Sequence, residues 1–546
     1  MRSRGFINEM YSVGLMTGDS GAGKGPVRIV KQSTSVTSGV AVTQKLVKAS
    51  VAFGNLLSGT FGPNGLDKMM YKTTGEASIT NDGAKIVAEL LVRHPAAKAF
   101  VSLAESQENA CGDGVTSCLL FASELMREGG RLLSRGVHPL ILIEGYTAAH
   151  EIALNLLEEK RIDFTGFNRD ALLKVAKTSL SGTIADFEDD FLAKMVVDAV
   201  ETIRFLEGKE VFAPYTNVRM SKRGEGNIRD SKLVQGLIID QRLKLDKMPR
   251  HLGAGKLLAL SCPLKIESSS RDADIEIESA EKFAEFLQAE DRIIQEKVDK
   301  ILETKATFIA CKDEVDDSIL QALAEAGCIV MADLEGPGLQ DIADTCNAWV
   351  IDHLDDIDQA NLGNFESVDV EIMEGSEGKR ERIHLVSGQS AGIVTLDIYG
   401  TDGLSSEEAI RALFDSLRSV CLATEYKSTM LGGGNFHSYA ASAIRMAGEA
   451  KAGRQRLAMD AYSRALELIP CVLLENAGED KLDGLLELRA KNDAKDSCFG
   501  VDSDGEISDV STVRLCTETV LSGLILAFET ATTLLRIDQV ISSRGD

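Results

Sequence analysis

The chain has 546 residues, with 59 basic against 84 acidic side chains and a net charge of −25. That length predicts two to four domains, and a 44% hydrophobic content supports packed cores, which excludes wholesale disorder. The acidity excludes nucleic acid and anionic membrane as bulk partners, since both need a basic surface. The segment 1–21 begins basic but lacks a clean apolar core and a small-residue cleavage site, so it reads as a flexible extension rather than a signal peptide. The first third then carries apolar residues at three- and four-residue spacing over 96–110, 115–136 and 139–160, predicting helices. Thr116 and Ser117 suit the N-cap of the second, and Pro139 the first turn of the third. In the middle, 233–240, 256–262, 306–311 and 328–334 are short apolar runs of strand length. They alternate with helical patterns at 280–304 and 316–327, so 232–392 reads as an α/β domain. The last third is helical again over 435–453, 454–470 and 512–538. The overall order, helical ends around an α/β centre, is that of an inserted domain. No run of 18 consecutive apolar residues occurs, which predicts no membrane span. The ten cysteines form no C-x-x-C pair and do not cluster with the seven histidines, predicting reduced thiols, no zinc site and a cytoplasmic location.

Gly18–Gly25 (GDSGAGKG) nearly matches the phosphate loop G-x-x-x-x-G-K-[ST]. Gly25 stands where the metal-binding hydroxyl belongs, and Pro26 follows where a helix would start. A flexible glycine-rich tail is the simpler reading, and an unrelated phosphate-loop enzyme rests on this motif alone.

Four further loops occur together: Gly59–Met69 (GTFGPNGLDKM), Thr80–Ala84 (TNDGA), Gly112–Ser117 (GDGVTS) and Leu431–Gly434 (LGGG). Glycines let backbone N–H groups approach phosphate oxygens closely. The third loop runs into a predicted helix, whose N-terminus attracts anions. Aspartates repel phosphate and make sense in such loops through a cation, typically Mg²⁺. Singly, each loop is an ordinary turn.

In this order and spacing the four loops resemble those of the group II chaperonins, the archaeal thermosome and eukaryotic cytosolic chaperonin family. His94–Lys98, Val137–Pro139, Glu144–Tyr146, Cys262–Leu264, Val298–Ile301, Glu475–Gly478 and Leu535–Asp538 extend the resemblance over nearly all of 40–542. It implies a mixed α and β subunit in three parts. These are a helical equatorial, ATP-binding domain (1–166 and 429–546), a small intermediate domain (167–231 and 393–428) and an inserted α/β apical domain (232–392). A built-in lid protrusion would lie around 263–290, its polar part at 266–275. The helix 280–304 sets Phe283, Phe286, Leu287, Ile294, Val298, Ile301 and Leu302 on one face, read mostly as core. The resemblance further implies ATP and Mg²⁺ as cofactors, double rings of identical or paralogous subunits, and unfolded polypeptides as clients. On matching positions Asp113 would bind Mg²⁺, and Gly62, Pro63, Gly114, Val115, Thr116, Ser117 and Gly433 would contact nucleotide. Asp509 would meet the nucleoside, Asp82 would lie beside the phosphates, and Asp415 would orient the attacking water.

The chain departs from the family pattern at several points. Val115 replaces a threonine, Lys85 a threonine and Thr183 a nucleotide-sensing lysine. Tyr399–Gly403 replaces an R-G-G turn, and Asn435-Phe436-His437 replaces A-x-E. Losing one hydrogen bond to a charged group costs about 1.5–3 kcal/mol, which predicts hydrolysis slowed about ten- to a hundredfold. Two readings follow: an ATP-driven folding chaperonin, and a nucleotide-binding structural subunit of a mixed ring with weakened ATPase.

Overall fold

The computed structural model describes residues 34–543 apart from 72–76, 91, 93, 184, 187–189, 208–209, 266–279, 376–377, 389–391, 401–402, 452 and 495. The motif at 18–25, the polar stretch 266–275 and Thr401–Asp402 of the replaced turn lie outside the described residues, as do the side chains of Phe283, Phe286 and Leu287. Residues 34–43 with 537–543 form one compact unit, in which strands Thr34–Ser38 and Gln539–Ser543 pair antiparallel. Residues 44–536 form the other and hold everything that follows.

In this second unit the helical ends pack together. Helices Val115–Ser134 and Pro139–Lys160 pack against Gln455–Ala477, and Thr517–Leu535 lies on Pro95–Cys111 and Val115–Ser134. The crossings are close. A Cβ on Gly145 would stand 2.4 Å from that of Ala458, so only glycine permits the approach. Tyr462 stacks edge-on to Phe121 and Tyr146, and its hydroxyl meets Nδ1 of His150 at 2.9 Å. His150 in turn lies flat on Phe528. By length and hydropathy, helices Pro139–Lys160 and Thr517–Leu535 could each cross a membrane. Both instead lie against neighbouring helices, with 44% and 50% of their apolar windows buried, as core helices do.

Local signals explain most helix starts. Pro139 opens its helix as expected, with His138 as N-cap accepting from the N–H of Leu140. Two expectations need correction. Thr116 and Ser117 are not N-caps: Gly114, at φ +76, caps helix Val115–Ser134, because the chain enters through a left-handed turn that only glycine adopts cheaply. Helix Gln455–Ala477 does not stop at Pro470 but continues seven residues beyond it. Buried Ile469, Val472 and Leu474 favour continuation over the lost backbone hydrogen bond.

The centre holds two sheets. Strands Ile329–Met331, Phe308–Cys311, Gly255–Leu260 and Val350–Ile351 lie parallel in that order, and Gly363–Phe365 is added antiparallel. Helices Ala280–Glu303, Asp317–Glu325 and Gly336–Cys346 contribute to the same core. Phe308–Cys311 is wholly buried, which explains its uninterrupted apolar run. The second sheet is antiparallel, in the order His251–Leu252, Ser367–Gly375, Gly378–Val386, Leu237–Asp240. Ile294, Val298, Ile301 and Leu302 pack into this central core, matching the core reading of their helix face.

The run 233–240 is two strands rather than one. Lys232–Gln235 pairs with Val394–Tyr399, which also pairs with Val218–Arg223, while Leu237–Asp240 pairs with Gly378–Val386. The chain changes sheet at Gly236, where φ is +99 and a Cβ would lie 2.0 Å from the carbonyl oxygen of Leu385. A separate hydrophobic cluster unites 172–228 with 394–423. Fully buried Arg382 ties the two regions, pairing with Asp240 at 2.6 Å and Asp397 at 2.9 Å. All ten cysteines are free thiols.

Candidate functional site

A cavity of about 570 Å³ opens where the helical ends meet the cluster at 172–228 and 394–423. It brings together every residue singled out from the loops: Gly62, Pro63, Asp82, Asp113, Gly114, Val115, Thr116, Ser117, Gly433, Asp509 and, from the distant helix Gly403–Tyr426, Asp415. Of the departures, Thr183 and His437 also line it.

The loops owe their shapes to glycine. Gly62, Gly112, Gly114 and Gly433 all have φ between +59 and +85. A Cβ on Gly433 would lie 2.5 Å from the carbonyl oxygen of Val501, and one on Gly83 2.4 Å from Oγ1 of Thr116. The second contact seats the start of helix Gly83–Glu89 on the start of Val115–Ser134, joining the two aspartate loops. Asp82 is the N-cap of Gly83–Glu89, accepting from the N–H groups of Ala84 and Lys85 at 2.8 and 3.3 Å. Fully buried Gln107 fixes the other loop, donating to the carbonyl oxygens of Asp113 and Thr519 and accepting from Ser522.

Asp113 sits at the tip of that loop. Its Oδ1 accepts from the N–H of Gly114 at 2.5 Å; its Oδ2 accepts from the hydroxyls of Ser179 and Ser419 at 3.0 and 2.8 Å. Behind it, the first N–H groups of helix Val115–Ser134 have no intrahelical acceptor, since those bonds begin with Cys118 to Gly114. Ser117 turns its hydroxyl back to the carbonyl oxygen of Gly114 at 2.9 Å, and Val115 is buried. Asp509 ends strand Ile507–Asp509 and accepts from the N–H of Ser511. Asn435 does not face the cavity; fully buried, it donates to the carbonyl oxygens of Ser497 and Phe499 and pins that loop.

The cavity is strongly acidic. Its described lining holds seven carboxylates but only two cationic side chains, Lys177 and Arg411. Burial, with Asp82, Asp113 and Glu108 nearby, pushes the Asp415 carboxyl well above its usual range. Burial also raises Asp113, against its three hydrogen bonds. Glu108 is pushed up to about 7, first by burial and then by Asp82. Burial pushes the His437 imidazole down to about 4, leaving it neutral at pH 7. Carboxylates crowded this way make one another hold their protons more tightly.

The motifs did not reveal Glu108, Lys177, Ser179, Glu408, Arg411 or Ser419. All lie on helices rather than in glycine loops. The one available signal was spacing: Glu408, Arg411 and Asp415 fall at i, i+3 and i+7, on one face of a helix.

The residues present fit a metal–nucleotide complex. Asp113 offers a carboxylate to a hard cation, the glycine loops form cradles that a Cβ would fill, and a helix N-terminus offers free donors. The volume lies within the range of small-ligand sites.

Comparison with known proteins shows the family. The model of the TCP-1/cpn60 chaperonin family matches residues 53–544. A thermosome subunit of Methanopyrus kandleri is 33% identical over 493 residues, 89% of either chain. Thermosome subunit alpha of Archaeoglobus fulgidus is 31% identical over 527 residues, 95% of either chain. Thermosome subunit alpha of Thermoplasma acidophilum is 30% identical over 529 residues, 96% of this chain and 95% of its own. The chain belongs to the chaperonin family. It is a chaperonin subunit that assists protein folding.

Proposed function

We propose that the chain binds ATP with Mg²⁺ in this cavity and hydrolyses it, as one subunit of a double ring that encloses unfolded polypeptides. The ring would contain identical or paralogous subunits and work in the cytoplasm, which the free thiols and acidic surface suit. The observation that carries the reading is the convergence of Asp82, Asp113, Asp415 and four glycine loops on one cavity. In this reading the helical ends, 1–166 and 429–546, are the equatorial domain. Segments 167–231 and 393–428 are the intermediate domain, and 232–392 is the apical one. Separate hydrophobic clusters at 172–228 with 394–423 and at 237–385 support that division.

Mg²⁺, when bound, would supply neutralisation of phosphate charge. Asp113 would hold it, leaving Ser179 and Ser419 to find other acceptors. The N–H groups at 115–117 and the loops at Gly62–Pro63 and Gly433 would receive phosphate oxygens, and Asp509 the ribose. Asp82 positions its helix start beside the phosphates. Asp415 would orient the attacking water. Because Asp415 stands on a helix of the intermediate segments, domain closure would gate hydrolysis.

The test is a pair of variants in purified rings. Asp113→Ala loses Mg²⁺-dependent ATP binding. Asp415→Ala keeps binding and slows hydrolysis at least about a hundredfold. Wild-type ATPase rates in both overturn the assignment. A second reading, a nucleotide-binding structural subunit with weakened ATPase, is favoured by two side chains. Val115 is a buried hydrocarbon, and the Thr183 hydroxyl already donates to the carbonyl oxygen of Leu180 at 2.6 Å. Turnover far below one ATP per minute with intact ATP binding selects it.

A further inference from the structure

A triphosphate is an anion, yet seven of the nine acidic and basic side chains in the described lining of the cavity are carboxylates. In so acidic a lining, a protein cation near the terminal phosphate would stabilise the charge that Mg²⁺ alone leaves there. Thr183 supplies none. Of the two cations in the described lining, Lys177 is already paired with Asp190 at 2.5 Å. Arg411 is placed differently. It stands one turn before Asp415 on the same helix face, and both line the cavity.

Arg411 has its holding partner on its own helix. Its Nε donates to Oε2 of Glu408 at 3.0 Å, and its NH2 meets the same oxygen. The other Glu408 oxygen accepts from the hydroxyl of fully buried Thr80, two residues before Asp82. Glu408 therefore stays anchored to the Asp82 loop whether or not it keeps Arg411. The pair lies three residues apart on one helix with its side chains 25% and 16% exposed, and a phosphate offers the guanidinium a bidentate, doubly charged acceptor in place of Glu408.

We propose that Arg411 is the cation that meets the terminal phosphate of the bound nucleotide, leaving Glu408 when that phosphate is present. Asp415 and Arg411 then act from one helix face, the carboxylate on the attacking water and the guanidinium on the phosphate it attacks. The inference rests on ATP binding in this cavity.

Calorimetric titration tests it without turnover, using ADP and a non-hydrolysable ATP analogue, each with Mg²⁺, on intact protein. Arg411→Ala is expected to weaken the analogue at least tenfold and ADP less than twofold. Arg411→Lys, which keeps the charge, is expected to recover part of the analogue affinity. Unchanged ADP affinity certifies the fold of either variant. Equal losses for both nucleotides, or no loss for either, overturn the proposal for Arg411. If the wild-type protein binds neither nucleotide, the nucleotide reading of the cavity itself fails.

Discussion

Gly83 offers a sharp test of how the two aspartate loops depend on each other. It is the first residue of helix Gly83–Glu89 and its φ is not positive, so alanine suits its backbone. The obstacle is Thr116. An added methyl would lie 2.4 Å from Oγ1 and 3.3 Å from both Cα and Cβ of Thr116, against 3.4 Å or more for ordinary contact. Rotating the threonine relieves the first contact and moves its hydroxyl from its present place beside Gly83 at the cavity lining. The two remaining contacts still push the helix starts apart by a few tenths of an ångström. A lost hydroxyl–phosphate bond costs about 1.5–3 kcal/mol, so Gly83→Ala should slow ATP hydrolysis about ten- to a hundredfold. Overpacking of about 1–3 kcal/mol is partly offset by the higher helix propensity of alanine, about 1 kcal/mol. Folding should therefore survive. Gly448→Ala is the control: its nearest new neighbour is Cβ of Met459 at 3.5 Å, so activity should hold and stability rise by about 0.5–1 kcal/mol. Steady-state ATPase and thermal unfolding read both variants. Wild-type turnover in Gly83→Ala, or an equal loss in Gly448→Ala, refutes the reasoning.

Gln107→Leu strands the carbonyl oxygen of Asp113 and removes the acceptor of the Ser522 hydroxyl. It should lower stability by about 1–3 kcal/mol, seen in denaturant unfolding, and weaken Mg²⁺-nucleotide binding. Arg382→Met leaves fully buried Asp397 without its cation and should cost about 3–5 kcal/mol, while Arg382→Met with Asp397→Leu should recover most of it. His150 gives a pH signature. Burial holds its imidazole at about 4, below the ordinary value, so the unfolded chain binds the proton more tightly. Its contribution to stability is complete above about pH 6.5 and is lost as pH falls towards 4, with a slope approaching 1.4 kcal/mol per unit. His150→Phe should flatten that acid limb in unfolding curves taken from pH 7 to 4.

What was legible in the sequence follows from where chemistry constrains composition. Gly62, Gly114 and Gly433 need left-handed backbone, so glycine had to be written there, and the aspartates beside them stood out by contrast. The helical ends were legible because their apolar faces repeat with the helix period, and the buried strands because Phe308–Cys311 admits nothing polar. The misreadings share one cause, which is that distant packing overrode a local signal. Pro470 reads as a stop, yet buried residues on both sides carry the helix through it. Thr116 and Ser117 read as caps, yet Gly114 turns the chain first because the loop must present Asp113. Gly236 sits inside one apolar run, and only the carbonyl of Leu385 from another strand shows why the sheet changes there. The cavity residues that escaped notice are the same case at the level of charge. Glu108, Glu408 and Arg411 look like solvated helix positions in one dimension. They become a site only when their two helices converge with the four glycine loops, and then the excess of carboxylates, already present in the net charge of −25, concentrates around one cavity.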